Sequence, residues 1–159
     1  MDWMPLLSTL TGAGIGIAAT LLADRSRWRR EEIRHGQQVR REAYTEYVSA
    51  LKAAGEEVRA VALGDHLSES ARDAAVREAV RRSGVYPASE RLWLVGPPQV
   101  VEAGNEAFHC LRALRDAYAR GVAVGSADDA PLVERRRAAM ARMRQLMRED
   151  LGIGPLGID

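Results

Sequence analysis

Cys110 is the only cysteine among 159 residues, which excludes an intramolecular disulfide and fits a reducing compartment. Histidine is nearly as scarce. His35, His66 and His109 fall on different predicted elements with no H-x-x-x-H spacing, so no two imidazoles share a helical face as metal ligands would. Lys52 is the only lysine, leaving 22 of the 23 basic residues as arginine. That bias, with abundant alanine and glycine, reads as the coding habit of a high-GC bacterium and bears on origin rather than chemistry. The length suits one domain, since setting aside an anchor leaves about 130 residues, enough for a small helical core.

Net charge is also almost absent, at +1, but it is unevenly spread. Arg25, Arg27, Arg29, Arg30, Arg34, Arg40 and Arg41 stand against Asp24, Glu31, Glu32 and Glu42, seven positive charges to four negative, a local excess of +3. From Ala43 onward 16 basic and 17 acidic side chains nearly cancel. No basic face of the kind that binds duplex nucleic acid is expected there.

Only one long run lacks charge altogether. Met4 to Ala23, MPLLSTLTGAGIGIAATLLA, passes twenty residues without a charged side chain. As a helix rising about 1.5 Å per residue, it covers the roughly 30 Å hydrocarbon core of a bilayer. Trp3 and Trp28 flank it 25 positions apart, about 37 Å along a helix axis, so both indoles are expected at the headgroup layers. Asp2 precedes the run and the arginines follow it, the reverse of a cleaved secretory signal. The positive-inside rule then predicts a single-pass protein of the cell membrane, N-terminus outside and main domain in the cytoplasm. Arg25, Arg27, Arg29, Arg30 and Arg34 are the expected contacts to anionic lipid, at about 1 kcal/mol each near the surface. Gly12, Gly16 and Thr20 form a small-residue stripe that lets a second helix approach closely, which makes the span a candidate for homo-oligomeric pairing. Gly14, Gly16 and Ala19 also satisfy G-x-G-x-x-A. A dinucleotide site needs a strand on either side of that motif, however, and an arginine-rich helical stretch follows instead. No cofactor is expected.

The remainder reads as all-α. Residues 25–42 are predicted to form a charged juxtamembrane stalk that packs no core, residues 43–151 an antiparallel helical bundle, and the Gly- and Pro-rich residues 152–159 a flexible tail. Tyr44, Tyr47, Val48, Leu51, Ala54, Val58 and Val61 have the three-and-four spacing of an amphipathic helix that ends near Gly64. A second helix is predicted from about Glu69 to Arg82, started by the Ser70 hydroxyl and ended by Ser83-Gly84. A short third helix is predicted from Ser89, although LWLV reads equally as a buried strand. Pro98 suits the first turn of a helix running to about Arg120, with Val100, Val101, Ala107, Phe108, Leu111, Leu114 and Tyr118 buried. Asp128 or Asp129 is expected to cap the last helix, whose apolar face is Leu132, Val133, Met140, Met143, Leu146 and Met147.

No catalytic constellation and no metal site are predicted. His109 and Cys110 are adjacent, so on a helix they point about 100° apart and cannot act as base and nucleophile. Glu56-Glu57 and Asp128-Asp129 are neighbours on a face or cap, not carboxylates converging in a pocket. Arg135, Arg136 and Arg137 read as a solvated face, with Arg136 close enough to the apolar stripe to snorkel. Met140, Met143 and Met147 read first as bundle core and second as an adaptable partner face.

At LLADRSRWRRE (Leu21 to Glu31) and RLWLVGPPQVVEA (Arg91 to Ala103) the chain resembles small, N-terminally membrane-anchored helical proteins frequent in actinobacteria, especially Streptomyces-like ones. The resemblance implies a topology and no activity. The expected role is a membrane-anchored helical interaction or scaffold module, contacting lipid, a protein partner or a second copy of itself. The alternative is a small membrane-associated enzyme or ligand sensor whose site assembles within the bundle.

Overall fold

A computed structural model describes the backbone of residues 4–64 and 68–154, and the side chains of Trp28, residues 31–32, 34–64 and 68–154. Five helices and no strand occur among the described residues: α1 (Met4–Leu63), α2 (Glu69–Arg82), α3 (Val85–Val95), α4 (Pro98–Ala119) and α5 (Ala130–Asp150). The chain divides into two compact units, Met1–Gln38 and Val39–Asp159.

Of the first unit, Trp28, Glu31, Glu32, Arg34 and His35 are exposed, as a charged, non-packing helix requires. The side chains of Trp3, Gly12, Gly16, Thr20, Arg25, Arg27, Arg29 and Arg30 lie outside the described residues, as do the other side chains of the predicted span between Met4 and Ala23. Among the described residues no helix is long and apolar enough to cross a membrane.

The second unit is the helical bundle, and it begins at Val39 rather than Ala43. Arg40, expected in the stalk, belongs to it instead: its guanidinium pairs with Asp150 at 2.9 Å, and the Tyr44 hydroxyl donates to the same carboxylate at 2.7 Å. The α1 residues Tyr44, Tyr47, Leu51, Ala54 and Val58 are buried as their periodicity predicts. Helix directions follow from paired residues. Arg40 meets Asp150 and Arg136 meets Leu51, so α1 and α5 are antiparallel. Tyr118 meets Asp129 and Arg142 meets Glu106, so α4 and α5 are antiparallel too. The connection that makes α4 parallel to α1 is α2 followed by α3, which returns the chain until Arg91 reaches Glu42 and Glu46.

Two starts differ from expectation. Ser68, not Ser70, caps α2, its Oγ accepting from the Ala71 amide at 3.3 Å. Helix α3 begins at Val85, four residues before Ser89, because Gly84 turns in the left-handed region (φ 75°) and Pro87 then sits in a first turn where its missing amide costs nothing. LWLV is therefore helical. Only Leu92 of the four is buried.

At the centre, α1, α3 and α4 meet at Gly104. The Tyr47 hydroxyl donates to the Gly104 carbonyl at 2.9 Å, and a Cβ on Gly104 would stand 2.7 Å from Leu92 Cδ2 and 3.1 Å from Tyr47 Cε1. Both neighbours are at most 1% exposed, so neither can yield without disturbing the core. Gly104→Ala is expected to lower stability by about 1–3 kcal/mol, the usual cost of overpacking. Gly36→Ala, where a Cβ meets nothing within 4 Å, is expected to be neutral or to stabilise by about 0.5–1 kcal/mol. Urea midpoints of the two variants check this, and equal midpoints would show that the junction is loose.

Candidate functional site

The bundle interior is aliphatic apart from a few pinned polar groups, and each contact closes a packing problem. Arg136 crosses from α5 to lie over Gly55 and donates to the Leu51 carbonyl at 3.1 Å. Only glycine at position 55 leaves room for the guanidinium, and burial pushes the pKa of Arg136 down. The middle member of the arginine triplet thus bridges helices, while Arg135 and Arg137 stay exposed. Asp129 is 2% exposed and does not cap α5 with its side chain. Its carboxylate instead accepts from the Tyr118 hydroxyl at 2.8 Å and the Gly125 amide at 2.7 Å, which folds the α4–α5 loop back on itself. Among the described residues every buried side-chain nitrogen and oxygen has a hydrogen-bond partner.

The residues weighed for catalytic or metal chemistry lie on separate parts of the fold. His109 and His35 are exposed, Cys110 is buried, and His66 lies outside the described residues. Two Glu-x-x-His spacings occur, Glu32 with His35 and Glu106 with His109, but Glu106 is drawn to Arg142 at 3.6 Å. No group of three or more potential metal ligands forms among the described residues. Met140, Met143 and Met147 are 5%, 0% and 4% exposed, which places them in the core and corrects their reading as a partner face. Thioethers at that spacing fill the seam between α5 and its neighbours because they adapt to irregular gaps.

Surface chemistry concentrates instead on the outer side of α3. Val85, Ala88 and Leu92 turn one face inward. At the opposite phase Tyr86, Trp93 and Leu94 are 46%, 60% and 84% exposed. Two residues of α4 support this strip from beneath. The Tyr86 ring stands edge-on to Phe108 at 5.6 Å, and Trp93 Nε1 donates to Asn105 Oδ1 at 3.3 Å. The indole is thereby oriented while its ring faces solvent, an arrangement typical of anchor residues at protein interfaces. The short helix predicted from Ser89 assigns Trp93 no face; with α3 starting at Val85, the residues Val85, Ala88 and Leu92 complete a three-and-four stripe that excludes positions 93 and 94.

No protein family, curated protein or solved structure matches the chain.

Burial holds three phenols protonated well past their ordinary range. Tyr47 is pushed up to about 12 by burial. Tyr118 is pushed up to about 12 by burial and by its bond to Asp129. Tyr44 is raised by burial and by Asp150. In the unfolded chain these groups lose their protons near pH 10, so the unfolded state binds fewer protons than the native state above that pH. Their stabilisation is complete below about pH 10 and disappears as the pH climbs through 12. Alkaline titration is expected to release these tyrosinates together with the loss of helical circular dichroism. Tyr47→Phe should make the stability loss shallower by about 1.4 kcal/mol per pH unit. Tyrosinate absorbance rising fully before helicity falls would contradict the assignment.

Proposed function

We propose that this chain is a single-pass membrane-anchored helical interaction module, with its N-terminus outside and its bundle in the cytoplasm. The anchor is the uncharged run from Met4 to Ala23, and Arg25, Arg27, Arg29, Arg30 and Arg34 meet anionic headgroups after it. The absence of charge over twenty residues and the local excess of arginine support this part. The interaction surface is the α3 strip of Tyr86, Trp93 and Leu94, and the exposure of Trp93 and Leu94 is the observation that carries the reading. An adjacent exposed indole and leucine form an apolar strip that a partner would remove from water. Burying one such side chain stabilises a complex by about 1.5–3 kcal/mol.

Gly12, Gly16 and Thr20 supply a second, weaker route to association between two copies within the bilayer. The resemblance to anchored actinobacterial helical proteins agrees with the topology and says nothing about the partner.

Two experiments test the proposal. Cell fractionation with reporters at either end is expected to place the protein in the membrane fraction, with the C-terminal reporter active inside. A photo-crosslinking residue at Leu94 is expected to yield one discrete adduct, absent when the probe replaces exposed Lys52 and lost on Trp93→Ser. Recovery of the full chain in the soluble fraction would overturn the anchor. A Leu94 probe that labels no more than the Lys52 control would overturn the docking face.

A further inference from the structure

A groove of about 340 Å³ opens on the surface of the bundle between α1 and α5. Tyr44 and Met147 lie buried at its base, with Val48 and Leu151 half-buried beside them. Its charged lining is wholly of one sign, being Arg41, Arg144 and Arg148, with no carboxylate among the lining residues. Among the described residues none of these three guanidiniums is paired with an acid. Arg148 donates to the Gly154 carbonyl at 2.6 Å, and Arg41 and Arg144 have no side-chain hydrogen bond or ion pair among those residues. Asp150, the acid that follows on α5, is held by Arg40 and Tyr44 and is not available to them.

Several arginines elsewhere in the bundle are neutralised locally. Arg77 pairs with Asp73, Arg81 with Glu78, Arg91 with Glu46, and Arg115 with Asp116. Three guanidiniums without a paired acid among the described residues, Arg41, Arg144 and Arg148, therefore meet around one apolar trough. A trough at the small end of the ligand-sized range, roughly 300–1,000 Å³, suits one flexible hydrocarbon chain and not a folded helix. Arginine forks match a carboxylate in two parallel hydrogen bonds. We propose that this groove binds a free single-chain fatty acid, the hydrocarbon lying along Val48, Met147 and Leu151 and the carboxylate meeting the arginine rim.

The groove lies entirely within residues 39–159, so this assignment stands or falls separately from the membrane anchor and from the α3 face. The test uses the full-length chain held in amphipol, free of detergent, and a photoactivatable decanoic acid bearing a diazirine at its chain end. Labelling is expected in the peptides that contain Val48 and Met147 to Leu151. Decanoate should compete about tenfold better than decanol, the loss expected when a charge-assisted hydrogen bond is removed. Arg144→Glu is expected to reduce labelling by about tenfold while the protein stays folded by thermal melting, since Arg144 makes no side-chain hydrogen bond or ion pair among the described residues. Val48→Trp should block labelling by filling the trough with the arginines intact. Equal competition by decanoate and decanol would overturn the proposal. So would labels confined to residues 4–23, or labelling undiminished in a folded Arg144→Glu variant.

Discussion

The contact on which the bundle depends is the approach of α1 to α4 at Gly104. A leucine methyl and the edge of a tyrosine ring occupy the space that a side chain would take: Leu92 of α3 closes over Gly104, and Tyr47 beside it donates its hydroxyl to the Gly104 carbonyl. This brings three helices to one place and makes the phase of each dependent on the others. Once Tyr47 faces Gly104, the three-and-four spacing of α1 puts Leu51, Ala54 and Val58 in the interior. Leu92, fixed against Gly104, commits Val85 and Ala88 inward, and the remaining side of α3 must face water. The exposed indole of Trp93 is thus a consequence of packing geometry before it is a feature of recognition.

Helix α5 is set differently, by polar pins along its length. Asp129 at its start holds Tyr118 and the Gly125 amide, Arg136 in its second turn reaches the Leu51 carbonyl, and Asp150 at its end holds Arg40 and Tyr44. Methionine packing alone would tolerate sliding along the seam, because a flexible thioether fits several registers. Directional bonds to fixed backbone and phenol groups do not. Each buried bond contributes only about 1 kcal/mol net, but breaking one strands its partner at about 1–3 kcal/mol, so a slipped α5 is penalised at three places. Specificity of register comes from these contacts more than stability does.

Helix existence was legible in the amino-acid pattern because the apolar stripes are long and the breakers strong. Gly96-Pro97-Pro98 and Ser83-Gly84 divide the helices where periodicity says they should, and α2 occupies the residues expected of it. What was not legible depended on three-dimensional neighbours. Asp129 reads as a cap from its place before Pro131, but a tyrosine hydroxyl eleven residues earlier offers its carboxylate a better donor. Gly55 carried no expectation of its own, and it is the space Arg136 requires. The α3 strip was hidden because a run of four apolar residues looks uniformly buried until the helix phase is known. Arg144 and Arg148 are distinguished from the other arginines by lining one apolar groove with Arg41 and no carboxylate, and only the packing of α1 against α5 decides that.

Among the described residues the buried polar side chains all have hydrogen-bond partners, and the two proposed recognition surfaces differ in chemistry. The α3 strip is apolar and aromatic with a satisfied indole N–H, so it asks for a partner that removes area from water. The α1–α5 groove holds uncompensated positive charge over an apolar floor, so it asks for a ligand that carries both a hydrocarbon and an anion. Salt separates the two demands. Screening shortens to a few ångströms at high ionic strength, which weakens an exposed arginine–carboxylate contact while strengthening apolar association. A single protein preparation titrated with salt therefore has to show the two surfaces responding in opposite directions, whatever their natural occupants are. Two responses of the same sign would mean that one of the surfaces has been given the wrong physical character.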